Sequence, residues 1–304
     1  MPKPHICICL CTFKRPQLLK RTLENLCSQK TDDLFDYSVV VADNDCAQSA
    51  RATVAEFSQS SPIEIIYAVE TKENIALARN KALQQATGDF IAWIDDDEFP
   101  EHDWLLNFFN TLERTGADGT LGPVDPVFEN SPPPWILKGR FFEKRRNLAT
   151  GTKLKWYQTS TANAFVRRKI LADIAEPFHR QFGSGGEDVD FFKRMGERGH
   201  IFVWCNEAVV HEVIAPGRWK RSYLFRRAFL RGINGRHFAN TVGVTKSLIA
   251  LPVYLVVLPF LPLVGQHFFV SFLMKIGDHA GKLFGLAGVN LMGNKYLAEN
   301  LGNS

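Results

Sequence analysis

The chain of 304 residues is 45% hydrophobic and 22% charged, which is enough apolar material for one large folded domain and an additional segment. This composition excludes an intrinsically disordered chain, which would contain fewer apolar residues. The formal net charge of +4 is too small to identify a partner, but the charge is unevenly distributed along the chain. The N-terminus has a short strand-like run in place of an extended apolar segment, so we expect no signal peptide and a cytoplasmic protein.

The first hundred residues alternate apolar runs of strand length with amphipathic helical stretches. This alternation predicts an α/β fold with repeated βαβ units and a mainly parallel sheet flanked by helices. The predicted strands are residues 5–11, 37–42, 63–68 and 90–94. A helix is predicted from Pro16, with Leu19, Leu23 and Leu26 on its sheet-facing side, and a second helix over residues 75–86.

Three cysteines alternate in the first predicted strand, so Cys7, Cys9 and Cys11 share one face of it. Three sulfur atoms at this spacing could in principle bind a metal ion, but zinc sites use different spacings. We interpret the three residues as buried free thiols.

Further along the chain, residues 103–115 are predicted to form a helix, and the proline-rich residues 131–135 a rigid loop. Another helix is predicted to begin near Glu187, after the glycine-rich residues 183–186. The composition changes near residues 215–217, which divides the chain into a domain over 1–215 and a basic amphipathic and hydrophobic helical region over 216–304.

The pattern FIAWIDDDEFP places Asp95, Asp96 and Asp97 just after a buried strand, where open parallel sheets bind their ligands. Three adjacent carboxylates repel one another, so we expect them to need a shared cation. A hard divalent ion such as Mg²⁺ or Mn²⁺ takes oxygen ligands and leaves room for the oxygens of a diphosphate. The alternative is a helix cap with additional surface acids.

Two other motifs have similar alternatives. In GSGGEDVDFFKR, Glu187 and Asp188 begin a helix whose dipole favours their charge, and a carboxylate there can act as a general base. Simple helix capping is the other explanation. His211 follows a short apolar run, and it is either a structural histidine or a metal ligand.

Several motifs in this order carry a resemblance to a known family. They are CTFKRP, VVVADND, ENIALARNKAL, the three aspartates, NAFVRR, and GGEDVDF followed by His211. With these motifs the chain resembles the glycosyltransferase family 2 enzymes of the GT-A fold from about residue 6 to 211. Within the family it is most similar to the glucosyltransferases of bacterial succinoglycan biosynthesis, on the basis of RTLENL, VVVADND, LGPV, GGEDVDFF and the arginine-rich segment after His211.

This resemblance implies a UDP-sugar donor, a Mg²⁺ or Mn²⁺ cofactor, and a lipid-linked or saccharide acceptor whose hydroxyl receives a hexose, with glucose as the expected sugar. It implies a uridine pocket of Thr12, Phe13 and Arg15, with Asp43 at the uracil edge and Asn74 and Arg79 beside the nucleotide and diphosphate. Asp95 and Asp96 would border the donor, and Asp95, Asp97 and His211 would hold the metal. Asp188 would be the catalytic base of an inverting reaction, with Glu187 orienting the acceptor.

The sequence departs from the family pattern at the first strand. Cys11 replaces the usual proline, and Phe13 replaces the common tyrosine. Ring stacking on uracil is retained, but a hydroxyl group is lost.

The region after residue 213 is basic and then apolar. It has no Asp or Glu until residue 278, and residues 247–274 contain no charged side chain. The apolar run 248–265 is interrupted by Pro252, Pro259 and Pro262, so a kinked span, a re-entrant hairpin, an interfacial helix and a buried helical hairpin all remain open. The basic aromatic segment 218–237 suits an anionic membrane surface. We therefore expect the cytoplasmic face of the inner membrane, with peripheral association or a C-terminal hydrophobic anchor.

Two other functions compete with this interpretation. The segment 218–237 also fits a membrane-surface or nucleic-acid-binding protein, but no RNA- or DNA-reading motif accompanies it, so we expect no nucleic acid partner. A nucleotidyltransferase would also use carboxylates and a metal, but it would need a glycine- and lysine-rich triphosphate loop, which the first strand lacks.

Overall fold

The computed structural model describes residues 2–144 and 146–289, and its chain divides into two compact units. The first comprises Met1–Val127, Lys144–Gly183 and Glu187–Val213, and the second comprises Phe128–Glu143, Ser184–Gly186 and Ile214–Ser304. The first unit therefore ends two residues before the predicted boundary, and two shorter segments belong to the second unit. Residues 290–304 of the predicted 216–304 region lie outside the described residues.

The first unit has a mixed α/β architecture. Its main sheet has seven strands in the order β3-β2-β1-β4-β8-β6-β9, and a smaller sheet has the order β5-β10-β7. The strands are β1 His5–Thr12, β2 Asp36–Asp43, β3 Ile65–Val69, β4 Phe90–Asp95, β5 Glu98–Pro100, β6 Gly119–Leu121, β7 Val124–Val127, β8 Asn163–Arg167, β9 Phe202–Trp204 and β10 Val210–Val213.

Five helices accompany these strands in the first unit, as far as the chain is described. They are α1 Pro16–Leu26, α2 Arg51–Ser60, α3 Ile75–Gln85, α4 Trp104–Thr115 and, after α5 of the second unit, α6 Glu187–Glu197. Strands β3, β2, β1 and β4 are parallel, whereas β8 is antiparallel to β4 and β6. The predicted α/β fold with a mainly parallel sheet is confirmed.

The alternation of β1 divides the apolar core into two layers. Ile6, Ile8 and Leu10 pack on one face of the sheet with the leucines of α1, which are fully buried. Cys7, Cys9 and Cys11 lie on the other face with residues of α3 and α6. All three are free and buried, which confirms their interpretation as core thiols. Burying a leucine or isoleucine side chain contributes about 1.5–3 kcal/mol, so these layers hold β1 in the middle of the sheet.

The second unit is helical. Its helices are α5 Pro134–Gly139, α7 Arg221–Asn234, α8 Thr241–Val257, α9 Leu261–Val264 and α10 Gln266–Leu286. Residues 131–135 are thus a loop only as far as Pro133, because Pro134 supplies the fixed backbone angle of a first helical position. Helices α7 and α10 pack closely, and a Cβ atom at Gly281 would lie 2.1 Å from the carbonyl oxygen of Phe229. Glycine at this position is what permits the close approach.

One stretch within the described residues is long and apolar enough to cross a membrane. It covers Thr241–Val264, has a mean hydropathy of 2.3, and is 6% buried. The alternative of a buried helical hairpin is therefore wrong for this stretch, because its apolar side chains are exposed. Examples are Val256, Leu263 and Val264.

Candidate active site

The carboxyl ends of β1, β2 and β4 and the start of α6 bring most of the predicted site residues together. At the end of β1, the Thr12 hydroxyl donates a hydrogen bond to Asp96 Oδ2 at 2.8 Å. Arg15 Nη1 lies 3.1 Å from Asp96 Oδ1 and 3.2 Å from Asp97 Oδ2. The predicted uridine-binding loop and the predicted metal-binding loop therefore contact each other directly.

The residue between Phe13 and Arg15 has an unusual backbone. Lys14 has a backbone φ angle of 55°, in the left-handed region that residues other than glycine rarely adopt. Phe13 is buried, and the Lys14 amino group lies 4.6 Å from the centre of its ring. Backbone strain of this kind is found at ligand-binding sites, and here it turns the chain from β1 into α1.

The first aspartate is paired with a different arginine. Arg79 of α3 is buried, and its Nη2 atom lies 3.2 Å from Asp95 Oδ1. Its Nε atom lies 3.0 Å from Glu187 Oε1 at the start of α6. One guanidinium group thus connects the end of β4 with the N-terminus of α6, and its Nη1 atom has no hydrogen-bond partner in the described part of the chain.

Two arginines offset part of the charge of the three aspartates. Arg79 contacts Asp95, and Arg15 contacts Asp96 and Asp97. A divalent ion shared by these carboxylates stays a prediction. Burial raises the pKa of Asp96, whereas Arg15 and the Thr12 hydroxyl act in the opposite direction. Arg15 is about eighty positions away from the aspartates that it contacts, so the local sequence does not reveal this pairing.

Buried polar contacts hold the loop after β4 in position. The Thr22 hydroxyl of α1 lies 3.0 Å from the carbonyl oxygen of Asp96 and 2.7 Å from that of Glu98. The buried Glu98 side chain accepts a hydrogen bond from the Asp95 amide at 3.1 Å. Burial raises the pKa of Glu98 well above its ordinary value, and Asp95 adds to the effect. These contacts fix the direction in which the three aspartates leave the strand.

The two carboxylates at the start of α6 have different environments. Burial raises the pKa of Glu187 to about 7, the nearby charge of Asp188 adds to the effect, and Arg79 opposes it. Asp188 is partly exposed, and its Oδ2 atom accepts a hydrogen bond from the Ser160 hydroxyl at 3.0 Å. A partly exposed carboxylate held by a hydroxyl can act as a general base toward an incoming group.

Two predicted nucleotide-binding residues also have structural contacts. Asp43 is fully buried, and its oxygens accept bonds from the Asp45 amide at 3.0 Å, the Ala50 amide at 2.9 Å and the Tyr67 hydroxyl at 2.8 Å. Asn74 caps α3 by accepting from the Leu77 amide at 3.1 Å. Roles for Asp43 at the uracil edge and for Asn74 at the diphosphate stay predictions.

His211 lies on β10, where it faces Phe99 of β5 across the strand pair. Its Nε2 atom is 2.6 Å from Glu101 Oε1, and its ring packs against that of Phe99. Its predicted role as a metal ligand would require the imidazole to leave Glu101. The backbone is suitably placed, because the amide of Val213, two residues later, donates to the Asp97 carbonyl at 2.9 Å.

Within residues 2–144 and 146–289, no set of three or more His, Cys, Asp or Glu side chains is arranged to hold a metal ion. The donor chemistry nevertheless fits Mg²⁺ or Mn²⁺, which take carboxylate oxygens. Asp95 has 35% of its side chain exposed and uses one oxygen for Arg79. Since Mg²⁺ is often held by one or two carboxylates together with the phosphates of a substrate, two aspartates are a sufficient protein contribution.

Sequence reasoning missed Ser160, the residue that contacts Asp188. It lies in the short polar run TSTAN before β8, 28 positions from Asp188, and no periodic pattern marks it. It also missed the pairing of Arg79 with Glu187. Arg79 had been predicted from its motif alone, and only the packing of α3 beside α6 shows its second contact.

Comparison with known proteins shows the family of this chain. The sequence profile of Glycosyl transferase family 2 matches residues 7–175, more than half of the chain. The matched stretch includes the three aspartates and Arg79 but ends before Glu187, Asp188 and His211. Assignments at those three residues therefore depend on the geometry and on the motif order, and not on the profile.

Two relatives and one solved structure are similar over most of the chain. The succinoglycan biosynthesis protein ExoM of Rhizobium meliloti is 37% identical over 229 residues, which are 75% of this chain and 73% of that protein. The glycosyltransferase AglE of Haloferax volcanii is 26% identical over 68% of this chain and 66% of its own. The crystal structure of S. aureus TarS 1-349 in complex with UDP has a TM-score of 0.56 at 15% identity, and covers 94% of this chain and 93% of that chain.

The last similarity shows a shared GT-A-like fold, and the profile and the 37% identity show the family. The chain belongs to glycosyl transferase family 2, and it is a glycosyltransferase.

Proposed function

We propose that the protein transfers a hexose, with glucose as the expected sugar, from a UDP-sugar to a hydroxyl of a lipid-linked saccharide during exopolysaccharide or cell-surface glycan synthesis. The observation that carries this proposal is the position of Arg79 between Asp95 and Glu187, at 3.2 and 3.0 Å. Arg79 connects the aspartate cluster, which suits the binding of a diphosphate through a metal ion, with Glu187 and its neighbour Asp188, which suit the binding of an acceptor hydroxyl group. The involvement of ExoM in succinoglycan biosynthesis supports the class of product.

The donor side of the site comprises Thr12, Phe13 and Arg15 with Asp43 and Asn74. Arg15 and Arg79 are the nearby cations, and the buried Nη1 atom of Arg79 lacks a hydrogen-bond partner among the described atoms. A buried donor without a partner is costly, so an oxygen of a bound nucleotide sugar would satisfy it. TarS, which shares the fold, has been solved with UDP, and this supports a uridine nucleotide here.

Members of this family commonly use a divalent metal ion. In this chain Asp97 and Asp95 would hold Mg²⁺ or Mn²⁺, Asp96 would support them from its buried position, and His211 would complete the set. A bound divalent ion supplies positive charge that stabilises the departing diphosphate. The protein itself contributes Arg15, which orients Asp97, and Arg79, which orients Asp95.

On the acceptor side, Asp188 takes the proton of the attacking hydroxyl. The oxygen then attacks the anomeric carbon from the face opposite UDP, so the bond to the acceptor forms as the bond to the diphosphate breaks and the anomeric configuration inverts. Ser160 holds one oxygen of Asp188 at 3.0 Å and leaves the carboxylate partly exposed. Glu187, being buried against Arg79, orients the acceptor and does not take the proton.

Two features of the second unit support association of the protein with an anionic membrane surface. The stretch Thr241–Val264 is exposed and apolar, and α7 before it is rich in arginine. The charge of one of these arginines, Arg231, is offset by Asp278 of α10. Its Nε and Nη2 atoms lie 2.8 and 2.6 Å from the carboxylate oxygens of Asp278. Arg221, Arg226 and Arg227 are further basic residues of the same helix. We propose the cytoplasmic face of the inner membrane as the location, with peripheral or anchored attachment.

The test is transfer of labelled glucose from UDP-glucose to a bacterial lipid extract by the full chain in detergent. The Asp188→Asn variant should retain UDP binding and lose transfer, because an amide cannot accept the proton. Asp190→Asn is the matched control, since Asp190 is on the same helix but pairs with Arg194 at 2.8 Å. Normal turnover by Asp188→Asn would exclude Asp188 as the base, and transfer from no UDP-sugar would refute the proposed donor.

A further inference from the structure

A short 3₁₀ turn, Trp156–Gln158, exposes two adjacent aromatic side chains in the first unit. Trp156 is 38% and Tyr157 is 59% exposed, whereas Trp93, Trp104 and Trp204 of the same unit are at most 2% exposed. The two rings are nearly perpendicular, at 84°, with centroids 5.6 Å apart. Large apolar side chains that are exposed side by side mark binding surfaces more often than isolated ones do.

The turn is held in place at both ends. The Lys155 amide donates to Gln158 Oε1 at 2.9 Å, and the Thr159 hydroxyl donates to the Trp156 carbonyl. Just before the turn, the Leu154 amide donates to the carbonyl oxygen of Phe202 in β9 at 2.8 Å. A fixed backbone presents the two rings with little loss of conformational entropy on binding.

The turn also lies beside the proposed catalytic base. It packs against α6, the helix that begins with Glu187 and Asp188. Thr159, which contacts Trp156, is followed directly by Ser160, whose hydroxyl is 3.0 Å from Asp188 Oδ2. Because consecutive Cα atoms are about 3.8 Å apart, the backbone of Trp156 lies at most about 15 Å from that of Ser160, a distance that a short saccharide can span.

The chemistry of this surface matches that of a sugar ring. A pyranose has an apolar face of C–H groups that carry partial positive charge, and the face of an aromatic ring carries partial negative charge. Tryptophan and tyrosine also have a polar edge that can hydrogen-bond to hydroxyl groups. We propose that Trp156 and Tyr157 form an aromatic platform for a pyranose ring of the acceptor. One aromatic ring stacks on the apolar face of the sugar, the nearly perpendicular ring contacts the edge of the sugar, and a sugar hydroxyl approaches Asp188.

This inference rests on the proposed function, since it assigns the rings to the acceptor and not to the donor. An exposed Trp-Tyr pair also occurs at membrane interfaces, where the rings lie among lipid head groups. The contact with the Asp188 region favours the saccharide. The chain moreover has a separate exposed apolar stretch at Thr241–Val264 that suits lipid.

The experiment uses the full chain in detergent and cellobiose as a simple pyranose probe. Tryptophan emission is followed during the titration, for the wild type and for Trp156→Ala, Tyr157→Ala and Trp156→Phe. We expect the emission of the wild type to change saturably with cellobiose, and the change to be lost in Trp156→Ala. Tyr157→Ala should bind cellobiose with an about tenfold higher Kd. Trp156→Phe should retain binding, which is measured by calorimetry. Ile201→Ala is the matched control, because Ile201 is 41% exposed in the same unit.

Transfer kinetics separate this inference from the proposed function. With UDP-glucose and the lipid extract, Trp156→Ala should raise the acceptor KM about tenfold and leave UDP binding unchanged. An unchanged acceptor KM, or a wild type whose emission responds to phosphatidylglycerol vesicles and not to cellobiose, would overturn the platform. If no UDP-sugar supports transfer, the proposed function fails, while the cellobiose titration still decides whether the rings bind a sugar.

Discussion

Arg79 Nη2 on α3 lies 3.2 Å from Asp95 Oδ1 at the end of β4, so a buried guanidinium group neutralises the first of three adjacent aspartates. Burial lowers the pKa of Arg79, but Asp95 and Glu187 outweigh this effect and raise it well above its ordinary value. The arginine is therefore a permanent positive charge in the centre of the site. Its removal should affect folding as well as catalysis.

Replacing Arg79 by alanine should destabilise the protein by about 3–5 kcal/mol, because the buried Glu187 and the half-buried Asp95 would lose their partner. Chemical denaturation at neutral pH measures the change. Arg79→Lys should recover part of the stability through its charge, but not transfer activity, because lysine lacks the forked geometry that reaches both carboxylates. An Arg79→Ala variant as stable as the wild type would show that the two contacts contribute nothing to folding.

Glu187 should make stability depend on pH. Its pKa is raised from 4.5 to about 7 by burial, so the folded protein binds a proton that the unfolded chain releases between these values. The contribution of this group is present in full below about pH 4.5 and is lost as the pH rises through 7, which amounts to about 3 kcal/mol. Glu187→Gln should remove this dependence.

The measurement is the free energy of unfolding of wild type and Glu187→Gln from pH 4.5 to 8. The stability of the wild type relative to the variant should fall as the pH rises. Glu197→Gln, at the exposed end of the same helix, is the control and should follow the wild type. Parallel curves for wild type and Glu187→Gln would contradict the assigned environment of Glu187.

Ser160 should act as a positioning residue for Asp188. Ser160→Ala should lower kcat about tenfold or more while UDP binding stays unchanged, because a hydrogen bond to a charged group is worth about 1.5–3 kcal/mol. Ser160→Thr retains the hydroxyl and should restore most of the rate. A loss of UDP binding and kcat together, without rescue by threonine, would indicate a general structural defect instead.

The sequence predicted the fold well, because its signals are local and periodic. The alternation in β1, the leucine spacing of α1, and Gly186 with a φ angle of 93° before α6 each act over a few residues. Helix α2 was not predicted, since its ten residues RATVAEFSQS bury only Val54 and show a weak apolar stripe. Residues 128–143 and 184–186 belong to the second compact unit through contacts between distant segments, which the local sequence does not indicate. The division of the chain into functional domains at residue 215 stays a prediction.

The fold brings the predicted site residues together, but their roles stay predictions, and the sequence does not reveal how they pair. The acidic residues and arginines were all selected by their motifs, yet Arg15 with Asp97 and Arg79 with Glu187 are joined only by the packing of distant elements. For the same reason Ser160 and the aromatic turn at Trp156 were missed. Neither lies at the carboxyl end of a parallel strand, where open sheets bind their ligands.

Metal dependence should be separable from the charge balance that the arginines provide. Asp97→Ala should abolish metal-dependent UDP binding, and removal of divalent ions with EDTA should have the same effect on the wild type until Mn²⁺ or Mg²⁺ is restored. Calorimetric titration with UDP measures both. The Asp97→Ala protein should stay folded, because Arg15 keeps its contact with Asp96. UDP binding that persists in EDTA would exclude a metal held by Asp97.

The basic and apolar second unit should bind anionic membranes in preference to RNA. The full chain should bind phosphatidylglycerol vesicles, and replacing Arg226 and Arg227 by glutamine should weaken binding by about 1 kcal/mol for each charge. Glutamine is uncharged and has a helix propensity similar to that of arginine, so a loss of affinity reports on charge. Salt should weaken vesicle binding only in part, because Thr241–Val264 contributes apolar contact that salt does not screen. Binding to RNA would instead fall steeply with rising salt concentration. Tighter binding to RNA than to vesicles would reverse the assignment of this unit.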